Sequence, residues 1–128
     1  MLHPNQFEVN EAWIAFKLND QPIHTEQDGD FDFFALMDTA SCFILSSVPL
    51  KAGKAELGEL EARRLLKEGR AHKEELPKTL FLPKAHPGTA LAAEAGRLGI
   101  DVVRVSEDQL LALVGEAKQS FREHFGWD

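Results

Sequence analysis

Apolar residues recur at every second position over residues 11–18, with Ala12, Ile14, Phe16 and Leu18 on one side and Trp13, Ala15 and Lys17 on the other. That period predicts a strand, and the run Asn19-Asp20-Gln21-Pro22 ends it. After Ile23-His24 comes an acidic stretch whose Asp28-Gly29 pair signals a hairpin. Residues 31–38 predict a second strand. Phe31, Phe33, Ala35 and Met37 share one face, and Phe34 and Leu36 make the other apolar as well, the mark of a central strand covered on both sides. Asp38-Thr39-Ala40-Ser41 reads as a tight turn, and residues 42–48 resume as a third strand halted at Pro49. Three strands joined this way form an antiparallel meander.

Beyond residue 50 the period changes. Residues 54–68 are rich in Ala, Leu, Glu, Lys and Arg, with Glu59 four before Arg63, and predict a helix with Gly69 as its C-cap. Ala62, Leu65 and Leu66 fall on one side of it with Ala55, and Leu57 and Leu60 on another. A short apolar strand, 79–82, closes at Pro83 and passes through a loop into a helix over 89–98. There Leu91, Ala95 and Leu98 repeat at i, i+4 and i+7, and Gly99 ends the helix. Residues 100–105 predict a buried-type strand. Ser106, with Glu107, Asp108 and Gln109 behind it, is a helix start. The final helix presents Leu110, Val114, Ala117, Phe121 and Phe125 on one face. The order βββαβαβα implies an α/β fold, a mixed five-stranded sheet with helices on its faces, because the alternating second half adds parallel strands to the meander through right-handed crossovers. Residues 1–10, broken by Pro4, Asn5, Gln6 and Asn10, are expected to be a loose leader to a single domain over 11–128.

Composition adds exclusions. At 128 residues and 44% hydrophobic content the chain suits one globular core, and no apolar run approaches the roughly 20 residues of a membrane span. The single cysteine, Cys42, forms neither an internal disulfide nor a thiolate metal site by itself, and the first residues lack the pattern of a secretory signal. A reducing, cytoplasmic setting is expected, with no membrane partner. The formal charge of −7 argues against a surface devoted to nucleic-acid phosphates. It is unevenly spread: residues 1–50 hold one basic residue against eight acidic ones, while residues 51–86 hold nine against six. Arg63, Arg64 and Lys67 are the candidate basic surface within that island. Their interleaving with acids reads as a solvated helix face before a binding patch.

The element order, with several short motifs, resembles the ribonuclease-H-like catalytic core of retroviral-type and transposon integrases. Trp13-Ile14-Ala15-Phe16-Lys17-Leu18 resembles that family's first strand, commonly Trp-x-x-Asp-x-Thr. Residues 34–41, running into 42–48, resemble its second strand, Asp-x-x-Ser turn and third strand. Residues 79–88 fall where the family has a strand ending in Asp-x-Gly, and the last helix where it carries a Glu. The likeness implies a ribonuclease-H-like fold, and for an active member three carboxylates around two divalent ions that activate water and stabilise the leaving oxygen. Here the first position is Phe16, the second falls in Lys84-Ala85-His86, and only Glu116 stands near the third. Integrase-type catalysis is therefore not expected. Asp38 matches its turn position well and is expected to cap that turn; a metal held by Asp38 and Glu116, with Asp30 and Asp32 as further candidates, is the alternative.

Other constellations are weaker. Lys84, His86, Gly88 and Thr89 lie between a strand and a helix N-terminus, where backbone N–H groups favour an anion, yet neither a P-loop nor a dinucleotide fingerprint fits. The five histidines lack ligand spacing, Cys42 reads as a small buried hydrophobe, and Glu26, Asp28, Asp30 and Asp32 form a solvated hairpin tip without EF-hand order. Trp127 packs on its own domain or anchors a second copy. The expectation is a non-catalytic interaction or regulatory module without a cofactor, its partner a protein or another copy. A divergent metal-dependent nuclease and a weak nucleic-acid binder are the alternatives.

Overall fold

The structure is a computed structural model that describes residues 1–19, 23–26, 29–51, 58–84 and 88–124. Its elements are β1 (Ala12–Lys17), β2 (Ile23–Thr25), β3 (Gly29–Asp38), β4 (Ile44–Lys51), α1 (Glu59–Lys73), β5 (Thr79–Pro83), α2 (Thr89–Arg97), β6 (Asp101–Val105) and α3 (Leu111–His124). β3 pairs antiparallel with β1 and with β4, while β1 and β5, and β5 and β6, pair in parallel. β2 is an addition to the expected meander. It pairs with the start of β3, Ile23 opposite Phe31, on the side away from β4, whose Lys51 also meets Phe31. β1 and β2 thus share one edge of β3, and the six segments fill five places: β4, β3, β1 with β2, β5, β6. Asn19 bridges the gap where β1 leaves that edge, accepting from the Phe33 N–H at 2.7 Å and donating to the Phe31 carbonyl and the Asp32 carboxylate.

The alternation in β1 divides the core. Trp13 and Ala15 face α1 and α2 together with Phe34, Leu36, Leu80 and Leu82. Ile14, Phe16 and Leu18 face α3 together with Ala35 and Met37. The apolar repeat of the last helix is the reason α3 lies there, since Leu110, Val114, Ala117 and Phe121 all pack into this second layer, joined by Leu113. Ser106 starts a short 3-10 turn, Glu107–Leu110, that leads into α3. Phe125 and Trp127 lie outside the described residues.

Two punctuation signals act differently from expectation. Pro49 does not halt β4, which runs on to Lys51. β4 is an edge strand, and exposed Pro49 needs no ladder N–H on its open side. Gly69 is no C-cap; α1 continues past it and ends at Glu74, whose φ of 63° takes the left-handed cap conformation. Gly69 is buried against the sheet, and a Cβ built on it would sit 2.7 Å from Leu36 Cδ2 and 3.3 Å from the Trp13 ring. The glycine permits the close approach of α1. Gly69→Val is expected to lower stability by about 1–3 kcal/mol through overpacking. Gly96→Ala, with nothing within 4 Å of the new Cβ, should be neutral or stabilising by up to ~1 kcal/mol. Urea denaturation of the two variants measures both. The expected helix start at 54 lies outside the described residues.

Within residues 1–10, read above as a leader, Leu2 and Phe7 pack on the α3 side of the sheet, while Asn10 reaches Trp13 and the Glu75 carbonyl. The Leu2 N–H donates to the Gln109 carbonyl at 2.9 Å, and Phe7 meets Phe81 edge to face with ring centres 5.7 Å apart. Among the described residues no helix is long and apolar enough to cross a membrane.

Candidate functional site

The ends of β1 and β5 and the first turns of α3 converge on one corner, a cleft of about 190 Å³ lined by Phe16, Lys17, Pro83, Glu107, Leu110, Leu111, Val114 and Lys118. Phe16 is only 2% exposed and belongs to the α3-side core. A side chain at this point of β1 faces α3 by the strand alternation, and the helix meets it with Leu110 and Val114. The cleft is smaller than the roughly 300–1,000 Å³ of ordinary ligand pockets. Lys17 and Lys118 bring positive charge to its lining, and Glu107 is the one acid there.

The β5-to-α2 connection begins at exposed Lys84, whose N–H donates to the Val105 carbonyl at 2.9 Å. His86 lies outside the described residues. Gly88 caps α2 with φ 54°, and exposed Thr89 opens the helix. Lys84 directly follows Pro83, which lines the corner, and is not itself part of that lining.

Asp38 is fully buried, and both of its carboxylate oxygens accept. Oδ1 takes the Asn10 N–H at 2.8 Å; Oδ2 takes the Ser41 N–H at 2.9 Å and the Ser41 hydroxyl at 2.6 Å. Its carbonyl receives the Cys42 N–H, closing the turn. The knot extends further, because Asn10 Oδ1 accepts from the Trp13 indole at 2.8 Å and Thr39 Oγ1 donates to the Ala12 carbonyl at 3.0 Å. Asn10 has φ 65°, a conformation asparagine tolerates better than most side chains. Asp38 therefore joins the β3–β4 turn, the entry to β1 and the buried Trp13.

Glu116 is exposed and does not line the Phe16 corner. It borders a separate surface hollow with Leu18, Ser41, Cys42 and Phe121. Asp38 does not line that hollow, although it holds Ser41, which does. Among the described residues no group of three metal-ligating side chains assembles. In the acidic hairpin, Asp30 pairs with His24 at 2.7 Å and Asp32 accepts from Asn19, while Asp28 lies outside the described residues. His72 stacks on Phe43 with ring centres 4.8 Å apart.

Cys42 is half-buried between the turn and α3, its thiol near the carbonyls of Thr39 and Leu113. Burial pushes its pKa up, and the charges of Glu116 and Asp38 add to the rise. Stability from this preference for the thiol is complete below the ordinary thiol pKa and is lost as pH rises through the folded value. Alkylation of Cys42 in the native protein is accordingly expected to be slower near neutral pH than in urea; timing the reaction with iodoacetamide in both conditions checks this.

The candidate basic surface is split by the fold. Arg64 pairs along the helix with Glu68 at 3.0 Å, whereas Arg63 reaches Glu94 of α2 at 3.7 Å. Lys67 lies with Arg63, Arg70 and Arg97 along the α1–α2 groove. Arg97 holds Glu94 by a hydrogen bond that lowers the Glu94 pKa, its charge and that of Arg63 adding to the effect. Sequence reasoning missed Arg70, although it follows Arg63 and Lys67 at i+7 and i+3 spacing on one face. It missed Arg97 because only the packing of α2 on α1 brings it there.

No protein-family model matches the chain, and no curated protein sequence matches it. Solved structures do. A chain of the simian T-cell lymphotropic virus intasome in complex with PP2A regulatory subunit B56 gamma superposes with a TM-score of 0.63 at 14% identity, over 90% of this chain and 39% of that one. The HTLV-2 integrase catalytic core domain in complex with magnesium gives 0.54 at 11% identity, over 87% and 84% of the two chains. The catalytic core domain of BIV integrase gives 0.58 at 11% identity, over 91% and 70%. These likenesses establish the fold: the chain is ribonuclease-H-like, with the five-place mixed sheet and three helices of integrase catalytic cores.

Proposed function

We propose that this domain is a ribonuclease-H-like frame without phosphodiester chemistry, working as an interaction or regulatory module in which residues 11–128 form one unit. The observation that carries the reading is Phe16, sealed at 2% exposure under α3 at the strand position where an active integrase core presents its first carboxylate. Two divalent ions need converging acids to neutralise them. This corner offers an aromatic ring, Pro83, leucines and two lysines, with Glu107 as the one acid in its lining. The acid that best matches the family's turn, Asp38, has both oxygens engaged by the backbone and Ser41. A reducing cytoplasmic setting suits a Cys42 that stays a thiol.

Purified protein incubated with duplex, single-stranded and supercoiled DNA in Mg²⁺ or Mn²⁺ is expected to release no more product than a chelated control. Cleavage that requires the metal and is abolished by Glu116→Gln overturns the proposal.

A further inference from the structure

We infer that the groove between α1 and α2 docks a short acidic peptide segment carrying an apolar anchor side chain, contributed by a protein partner. Arg63, Lys67 and Arg70 occupy one face of α1 at i, i+4 and i+7, and Arg97 faces them from α2. The floor between them is apolar, made of Leu66, Leu76 and Leu98. Glu94 is the one acid in the lining. Its side chain is 12% exposed, yet Arg63 and Arg97 beside it remain 59% and 65% exposed, so Glu94 orients two guanidinium groups without covering them. Lys67 and Arg70 have no acidic partner among the described residues.

The local balance is four positive charges against one negative on a chain of net charge −7. That contrast selects the partner. Guanidinium forks recognise carboxylates in pairs, and a leucine-sized side chain gains from the apolar floor. A polynucleotide approaching a chain of net charge −7 meets long-range repulsion that grows with its length. A short carboxylate-bearing peptide satisfies both the cationic rim and the leucine floor and carries fewer charges than a polynucleotide.

This inference rests on the reading of the domain as an interaction module. Its test is fluorescence anisotropy with a labelled probe peptide of alternating Asp and Glu around one Leu, beside the same peptide with Leu replaced by Ser and a labelled oligo-dT of equal charge. The Leu peptide is expected to bind saturably and more tightly than the other two probes. Lys67→Glu with Arg70→Glu should weaken it by roughly tenfold or more, and Arg104→Glu, which changes an exposed charge on β6, should have little effect. The melting temperature of each variant shows that it is folded. Absence of saturable peptide binding, equal loss in the β6 variant, no dependence on the Leu, or tighter binding of the oligonucleotide through the same residues overturns the inference. None of these results alters the outcome of the cleavage assay, so the groove and the non-catalytic reading fail separately.

Discussion

Restoring an acid where the integrase frame has its first one is expected to unfold this protein rather than reactivate it. Phe16→Asp removes a ring packed against Leu110 and Val114 and places a carboxylate in the same apolar layer. Truncating a buried phenylalanine costs about 3–5 kcal/mol, and an unpaired buried charge adds to that unless it becomes protonated. The sum takes most of the roughly 5–15 kcal/mol by which a domain is stable. Phe16→Leu keeps the site apolar and should lose only about 1 kcal/mol. Thermal and urea unfolding monitored by circular dichroism compares the two. If Phe16→Asp were nearly as stable as the parent, the corner would be open enough to hold an acid, and the account of a sealed strand would be wrong.

Asp38→Ala is expected to be the second most damaging change, with a loss of about 3 kcal/mol or more. The substitution leaves the Asn10 N–H, the Ser41 N–H and the Ser41 hydroxyl without the carboxylate that accepts them, and unsatisfied buried donors carry their full desolvation penalty. Asn10 also holds the Trp13 indole, so the disturbance reaches the core beneath α1. Asp38→Asn keeps one accepting oxygen but turns an amide NH₂ toward a donor, and should fall between alanine and the parent. Unfolding is measured in EDTA and again with Mg²⁺. A structural Asp38 gives the same loss in both, whereas a metal ligand gives a loss only when the ion is present.

Much of the frame was legible in the residues because period and burial coincide. The alternation of residues 12–18 became the two-sided centre of the sheet, and the repeat of Leu110, Val114, Ala117 and Phe121 became the face that α3 buries. Both are tertiary consequences of a local pattern. Signals that depend on surroundings were read less well. Gly69 carries the composition of a helix end, but its meaning comes from Leu36 and Trp13, which are far away in sequence. Pro49 ends a central strand and is harmless at an edge, and edge position is a property of the whole sheet. Phe16 and Lys84 were identified by resemblance at positions where acids would be expected. The surroundings of Glu116 were not readable, since they depend on how α3 packs against Leu18 and the turn at Ser41 and Cys42. Asn10, in a segment with no periodicity, proved to be the second half of the Asp38 knot.

The most direct test of a sealed, non-catalytic corner is titration of ¹⁵N-labelled protein with Mn²⁺, which broadens the amide signals of residues near a bound ion. The account predicts weak, scattered broadening over exposed acids such as Glu26 and Asp30 and none centred on Phe16 and Lys17. Selective loss of the Phe16 and Lys17 signals together with Glu107 at low metal concentration would show an ion held at the corner and would contradict it.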